Sequence, residues 1–201
     1  NKKYISCSSN ISCTKLARYL HDNKQPGYEF LYGIPGTIAG AVSMNAGAFE
    51  REIMPYVHSL DLLDENGTIH TLRNSDMSYS YRTSNINEKS IILSVKLIKQ
   101  TTNFDMTLLN LLNQKRKISQ PINQLSCGCI FKNPSGDYAA RLIDSAQLKG
   151  SRAGGIYISH KHSNYFINDG SGTYRDFMVL LRRVKEVIAS KFSIKLDEEV
   201  I

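Results

Sequence analysis

Gly33-Ile34-Pro35-Gly36-Thr37-Ile38-Ala39-Gly40-Ala41-Val42-Ser43-Met44-Asn45-Ala46-Gly47-Ala48 decides how the rest of this chain is read. Its sixteen positions hold four glycines, four alanines, one proline and three polar side chains (Thr37, Ser43, Asn45), and no charge. Small residues at this density let another group press directly on the backbone. A free helix has no use for them, since each internal glycine costs about 1 kcal/mol relative to alanine. Gly36-Thr37 after Pro35 reads as the start of a short helix whose unpaired N–H groups can hold an anion such as a diphosphate. The competing reading is a buried, tightly packed helix with glycine caps.

Working outward, Ser12 caps a helix over 12–23, with Leu16, Ala17 and Leu20 at helical spacing. Gln25-Pro26-Gly27 breaks it. Residues 57–63 and 68–72 read as strands joined by an Asn66-Gly67 hairpin, and 90–99 as a further strand. Helices are expected over 104–118, over 136–146 with Asp137 near the cap, and over 174–191. In the last, Phe177, Leu180, Leu181, Val184, Val187 and Ile188 share one face, which is core packing. Interspersed strands and helices argue for α+β or α/β, with α+β the expectation. The polar run Lys99-Gln100-Thr101-Thr102-Asn103 suggests a boundary, with one domain over 1–100 and a smaller one over 101–201.

The 201 residues, 41% of them apolar, suffice for a sizeable core. No run of eighteen apolar residues is present to span a membrane, and the basic N-terminus lacks the apolar stretch of a signal peptide. Cysteines 7, 13, 127 and 129 form no CxxC pair, and no His/Cys array has zinc-ligand spacing. Reduced thiols in a cytoplasmic protein are expected. A formal charge of +7 suits an anionic partner, whether a nucleotide cofactor, a phosphorylated substrate or nucleic acid. The basic residues form no stripe, so Lys115-Arg116-Lys117 and Arg182-Arg183 read mainly as solvated helix faces, and no nucleic acid is expected.

Three segments carry candidate chemistry. Arg82, in Tyr81-Arg82-Thr83-Ser84, has the side chain suited to a carboxylate or enolate. In Ser126-Cys127-Gly128-Cys129-Ile130-Phe131-Lys132-Asn133-Pro134, Gly128 permits a close turn that exposes Cys129 at a pocket edge. A thiol, with an unperturbed pKa of about 8.5, can carry a proton; two ordinary buried cysteines are the alternative. Around His160 and His162 no Glu or Cys completes a ligand set, so no metal is expected. The acidic end Asp197-Glu198-Glu199 gains a role as a proton or hydrogen-bond donor only if folding carries it to a pocket.

In this order the segments resemble the UDP-N-acetylenolpyruvoylglucosamine reductase family. The resemblance runs from Gly33–Thr37 and Met44–Ala48 through Tyr81-Arg82, Lys115-Arg116 with Gln120-Pro121, and Gly128–Pro134. It continues through Ala140-Arg141-Leu142-Ile143 and His162–Phe166 to Glu199-Val200. It implies a bacterial, cytoplasmic, monomeric flavoenzyme of peptidoglycan precursor synthesis, with FAD and NADPH as cofactors and UDP-N-acetylglucosamine enolpyruvate as substrate. By resemblance Gly33, Ile34, Pro35, Gly36, Thr37, Gly40, Ala41, Asn45, Ala46 and Gly47 wrap the FAD. Arg82, Cys129 and Glu199 are catalytic, and Asn133, Lys132 and Tyr81 contact substrate. Cys129 stands where the family has a serine as proton donor, and Ala39 where a glycine is common. The spacing between Arg82 and Cys129 resembles the subtype without an extra substrate-covering loop. The resemblance also implies more chain ahead of residue 1, with a glycine-rich loop on the FAD diphosphate, and a strand continuing past Ile201. Two other readings stand beside it: another flavoprotein of the same architecture, and a non-catalytic nucleotide- or UDP-sugar-binding fragment.

Overall fold

The computed structural model describes residues 3–200; the expected continuation past Ile201 lies outside them. The chain forms two compact units, Asn1–Gln114 and Lys115–Ile201. The polar run 99–103 lies inside the first unit. The division falls instead within one continuous helix, α3 (Leu108–Ser119).

In the first unit, β1 (Tyr4–Ser8) leads into α1 (Cys13–Asp22). Ser12 caps α1, its hydroxyl accepting from the Lys15 N–H at 3.2 Å. Cys13, Leu16, Ala17 and Leu20 form one buried stripe. After the glycine-rich run come α2 (Ile38–Ser43), the short pair β2 (Gly47–Ala48) and β3 (Arg51–Glu52), then β4 (Val57–Leu63) and β5 (Ile69–Arg73). A second short pair, β6 (Tyr79–Ser80) and β7 (Thr83–Ser84), precedes β8 (Ile91–Ile98). The sheet is antiparallel in the order β1-β8-β4-β5. Register shifts in the β4–β8 pairing break strict alternation. Ser59 and Leu60 are both buried as a result, although they are adjacent. The α1 stripe joins Val57, Leu60, Val95 and Leu97 of the sheet in one core. The β4–β5 connection turns on Asp64, whose Oδ1 accepts from the N–H groups of Asn66 and Thr68, with Gly67 at φ +78°.

In the second unit, α4 (Ala139–Ser145), β9 (Arg152–Ala153), β10 (Ile156–Ile158), β11 (Phe166–Asn168) and α5 (Tyr174–Phe192) surround a separate core. The three strands are antiparallel in the order β11-β10-β9. Thr173 and Asp176 close a capping box at the start of α5, and Leu180, Leu181, Val184 and Ile188 bury its expected face. Asp137 stands next to the cap of α4, as expected, but does not itself supply it. Asp137 binds the Tyr138 N–H and pairs with Arg141, while Asn133 Oδ1 accepts from the Ala139 N–H at 3.1 Å. An asparagine six residues upstream thus supplies the acceptor that the nearer aspartate does not. The fold is α+β.

Burial carries one testable consequence. His162 Nδ1 accepts from the Asn164 N–H at 3.3 Å, which requires a neutral ring. Burial, with Lys149 nearby, holds the imidazole below its usual range. A base depressed on folding gains protons on unfolding, so its stabilisation is present above about pH 6.5 and lost as pH falls. Urea midpoints should therefore decline between about pH 7 and 5.5, and His162→Asn should flatten that decline. An equal decline in the variant would assign it elsewhere.

Candidate functional site

The glycine-rich run corrects one sequence expectation. The first N–H groups of α2 are already occupied: Ile38 donates to the Ile11 carbonyl and Ala39 to the Ser9 carbonyl, each at 2.9 Å, and Gly40 to Thr37 Oγ1 at 3.4 Å. The loop after β1 takes the donors that the sequence reading assigned to an anion, so α2 offers no phosphate cradle at its start.

The glycines themselves divide into two kinds. A Cβ on Gly47 would meet the Arg51 carbonyl oxygen at 2.1 Å, so the β2–β3 pairing alone accounts for that glycine. Gly40 is exposed, sits inside a helix, and a Cβ there would meet nothing closer than Thr37 Oγ1 at 4.0 Å. Gly36 is also exposed and open, although its φ of +99° favours glycine by itself. Nothing among the described residues accounts for Gly40, and helix propensity opposes it. A bound group lying against α2 does account for it, so the run fits a flat cofactor. Ile34, Pro35, Thr37 and Ala46 are all at least partly exposed beside it, whereas Ala41 faces the core.

Asn45, fully buried at φ +43°, fixes the end of the run. Its Nδ2 donates to Glu52 Oε2 at 2.8 Å and to the Ser80 carbonyl at 2.9 Å, and its Oδ1 accepts from the Met54 N–H at 3.2 Å. Arg82, between β6 and β7 and also left-handed at φ +53°, reaches the same loop. Its guanidinium donates to the Gly47 carbonyl at 2.8 Å and the Asn45 carbonyl at 3.3 Å, and lies 3.7 Å from Glu52 Oε1. The Tyr81 ring, exposed, lies 4.9 Å from the guanidinium carbon. Arg82, Tyr81 and the glycine-rich run therefore form one cluster. Glu52, absent from the sequence candidates, is its acidic member.

In the second unit the segment around Cys129 lies between two others. Ile130 N–H donates to the Asn164 carbonyl at 2.9 Å, and Phe131 exchanges hydrogen bonds with the buried Asn164 side chain at 3.0 and 2.8 Å. On the other side, Glu199 N–H donates to the Ile130 carbonyl at 2.8 Å and Lys132 N–H to the Asp197 carbonyl at 2.9 Å. The acidic end is thus carried to the Cys129 segment by backbone pairing. Cys129 is half-buried, bridged to Tyr165, and its sulfur shares a hydrogen bond with the Tyr165 side chain. Burial, reinforced by the negative potential of Cys129, pushes the Tyr165 phenol far up, so the phenol stays neutral. Lys132 is half-buried, and Asn133, although exposed, is engaged in capping α4. Arg116 also corrects a sequence expectation: it is only 5% exposed rather than part of a solvated face. It follows Leu109 and Leu112 on one helical stripe, which is the signal that could have placed it inside. Among the described residues no group of three His, Cys, Asp or Glu could hold a metal. No helix among them is long and apolar enough to cross a membrane.

Residues 1–73 match the FAD binding domain family, and residues 120–201 match the family described as UDP-N-acetylenolpyruvoylglucosamine reductase, C-terminal domain. The UDP-N-acetylenolpyruvoylglucosamine reductase of Fusobacterium nucleatum is 36% identical over 200 residues, covering 100% of this chain and 71% of the relative. The chain belongs to the UDP-N-acetylenolpyruvoylglucosamine reductases. The enzyme of that name from Caldanaerobacter subterraneus is 38% identical over 199 residues, 98% of this chain and 66% of its own length. The crystal structure of the reductase from Thermus caldophilus superimposes with a TM-score of 0.84 at 28% identity, covering 99% of this chain and 72% of that one. The chain thus spans about two thirds of the length of its curated relatives. UDP-N-acetylenolpyruvoylglucosamine reductases are FAD-containing oxidoreductases of peptidoglycan synthesis that use NADPH.

Proposed function

We propose that this chain reduces the enolpyruvyl ether of UDP-N-acetylglucosamine to UDP-N-acetylmuramate, with the unit Asn1–Gln114 serving FAD and the unit Lys115–Ile201 serving substrate. FAD held there would supply the hydride chemistry between NADPH and C3 of the ether. The Gly33–Ala48 run takes the cofactor by close approach, with Gly33, Ile34, Pro35, Gly36, Thr37, Gly40, Ala41, Asn45, Ala46 and Gly47 as its contact or supporting positions. Arg82 steadies the substrate carboxylate, beside which charge accumulates as hydride arrives; fixed donors are worth most at such a point. Glu199 hydrogen-bonds the same enolate-like centre. Cys129 gives its thiol proton to C2, breaking S–H and forming C–H. Tyr81, Lys132 and Asn133 orient the substrate. The protein works as a cytoplasmic monomer of a bacterium.

The observation that carries this reading is the pairing of the Glu199 segment onto Ile130, beside Cys129. Backbone pairing of these two segments supports a reading in which a thiol donor and a second acid work side by side. The test is NADPH oxidation in the presence of the enolpyruvyl ether. It should yield, mole for mole, a product heavier by a hydride and a proton. Oxidation without such a product would leave only a flavoprotein of another kind.

Gly40 gives a separate test of the cofactor surface. Gly40→Ala should leave thermal stability unchanged or raise it, by up to about 1 kcal/mol. The added methyl should weaken FAD retention by about tenfold, an overpacking cost on the order of 1–3 kcal/mol. Undiminished FAD affinity in that variant would remove α2 from the site.

A further inference from the structure

Arg116 is a cation on α3 with almost no access to water, and taking a guanidinium out of water is costly. It donates to Gln120 Oε1 at 3.1 Å, a neutral acceptor four residues on. The groups whose potential favours its charge are Tyr165 and Cys129. Tyr165 is itself buried and is paired with Cys129 in an antiparallel backbone bridge, which sets its side chain beside the Cys129 sulfur in hydrogen-bonding reach. A cation and a phenol thus converge on one thiol. We propose that Arg116 and Tyr165 are positioning residues for Cys129, stabilising the sulfur anion left once its proton has gone to substrate. The inference rests on the donor role given to Cys129 above.

The step balances simply. The S–H bond breaks, a C–H bond forms at C2, and the thiolate remains opposite Arg116 until water reprotonates it. The Tyr165 O–H, neutral because of its burial, donates to the same sulfur. Glu199 also faces Tyr165, where its charged form would help keep the phenol neutral, and the His162 ring stands edge-on to Tyr165 at 4.7 Å. A serine at position 129 would gain less from this arrangement, because its conjugate base is too basic to accumulate.

The test needs no flavin. In a Cys127→Ser background, the rate of iodoacetamide labelling of Cys129 is followed against pH by peptide mass spectrometry. The midpoint of that profile is the readout, since intrinsic nucleophilicity alters the plateau and not the midpoint. Arg116→Met should raise the midpoint by about one unit, slowing labelling several-fold at low pH, and Arg116→Lys should restore most of the shift. Tyr165→Phe should raise it by a smaller amount. An unchanged midpoint in a folded Arg116→Met overturns the proposal. If that variant does not fold, an unchanged midpoint in Tyr165→Phe overturns it. Full turnover by Cys129→Ala is a different failure: it would remove the donor role while leaving the midpoint shifts standing.

Discussion

Cys129→Ala is expected to lose steady-state turnover by about a thousandfold, the typical share of a positioned general acid. The loss should fall on one half of the reaction. Bleaching of the flavin band by NADPH should persist, because Cys129 lies on the segment paired with Asn164 and Glu199 and has no part in the glycine-rich run of the other unit. Return of the band on adding the enolpyruvyl ether should slow. Cys129→Ser should restore turnover, since the hydroxyl can reach the same carbon. It should also abolish the alkaline limb of the rate profile that an ionising thiol imposes, because the donor works only while protonated. An alanine variant as fast as the parent would show that C2 takes its proton from elsewhere. Stopped-flow absorbance of the two half-reactions checks each statement separately.

Asn164→Ala is expected to cost about 3 kcal/mol of stability in the second unit. The Asn164 amide is 2% exposed and satisfies both the N–H and the carbonyl of Phe131, itself 1% exposed. Truncation leaves those two groups buried without that partner, at about 1–3 kcal/mol each, partly offset by relaxation. The damage extends to chemistry, because the segment that Asn164 holds also carries Cys129 and pairs with the backbone of Glu199. Asn164→Asp should not rescue it: the acid keeps the acceptor, loses the Nδ2 donor and brings a charge into a dry site. Denaturant unfolding gives the first number and turnover the second. A variant within about 0.5 kcal/mol of the parent would show that the segment is held by its flanking backbone bonds alone.

Much of this architecture is local and was legible as such. The Ser12 cap, the Leu16-Ala17-Leu20 stripe and the apolar face of α5 are patterns within one helix turn or a few. What escaped depends on partners far away in sequence. Asn164 reads as one polar residue in an apolar segment, and its role appears only when Phe131, 33 positions earlier, lies against it. The donors at the start of α2 looked available for a diphosphate because nothing in the run shows that Ser9 and Ile11 turn their carbonyls onto them. Ser59 is buried through a register shift that no alternation pattern announces. Arg116 was readable, since Leu109 and Leu112 precede it at helical spacing; its charge argued for solvent, and burial beside Cys129 and Tyr165 outweighed that. Within the candidate site, the identities of Arg82, Cys129 and Glu199 came from motif order. The clustering of Arg82 with Asn45 and Gly47, and of Glu199 with Ile130, came from folding.

The most direct measurement is a visible absorption spectrum of the purified protein under anaerobic conditions, taken before and after NADPH and again after the enolpyruvyl UDP-sugar. The account predicts a flavin band that bleaches with NADPH and returns with the sugar. A protein that shows no band after reconstitution with FAD, or a bleached band that the sugar leaves unchanged, would contradict it.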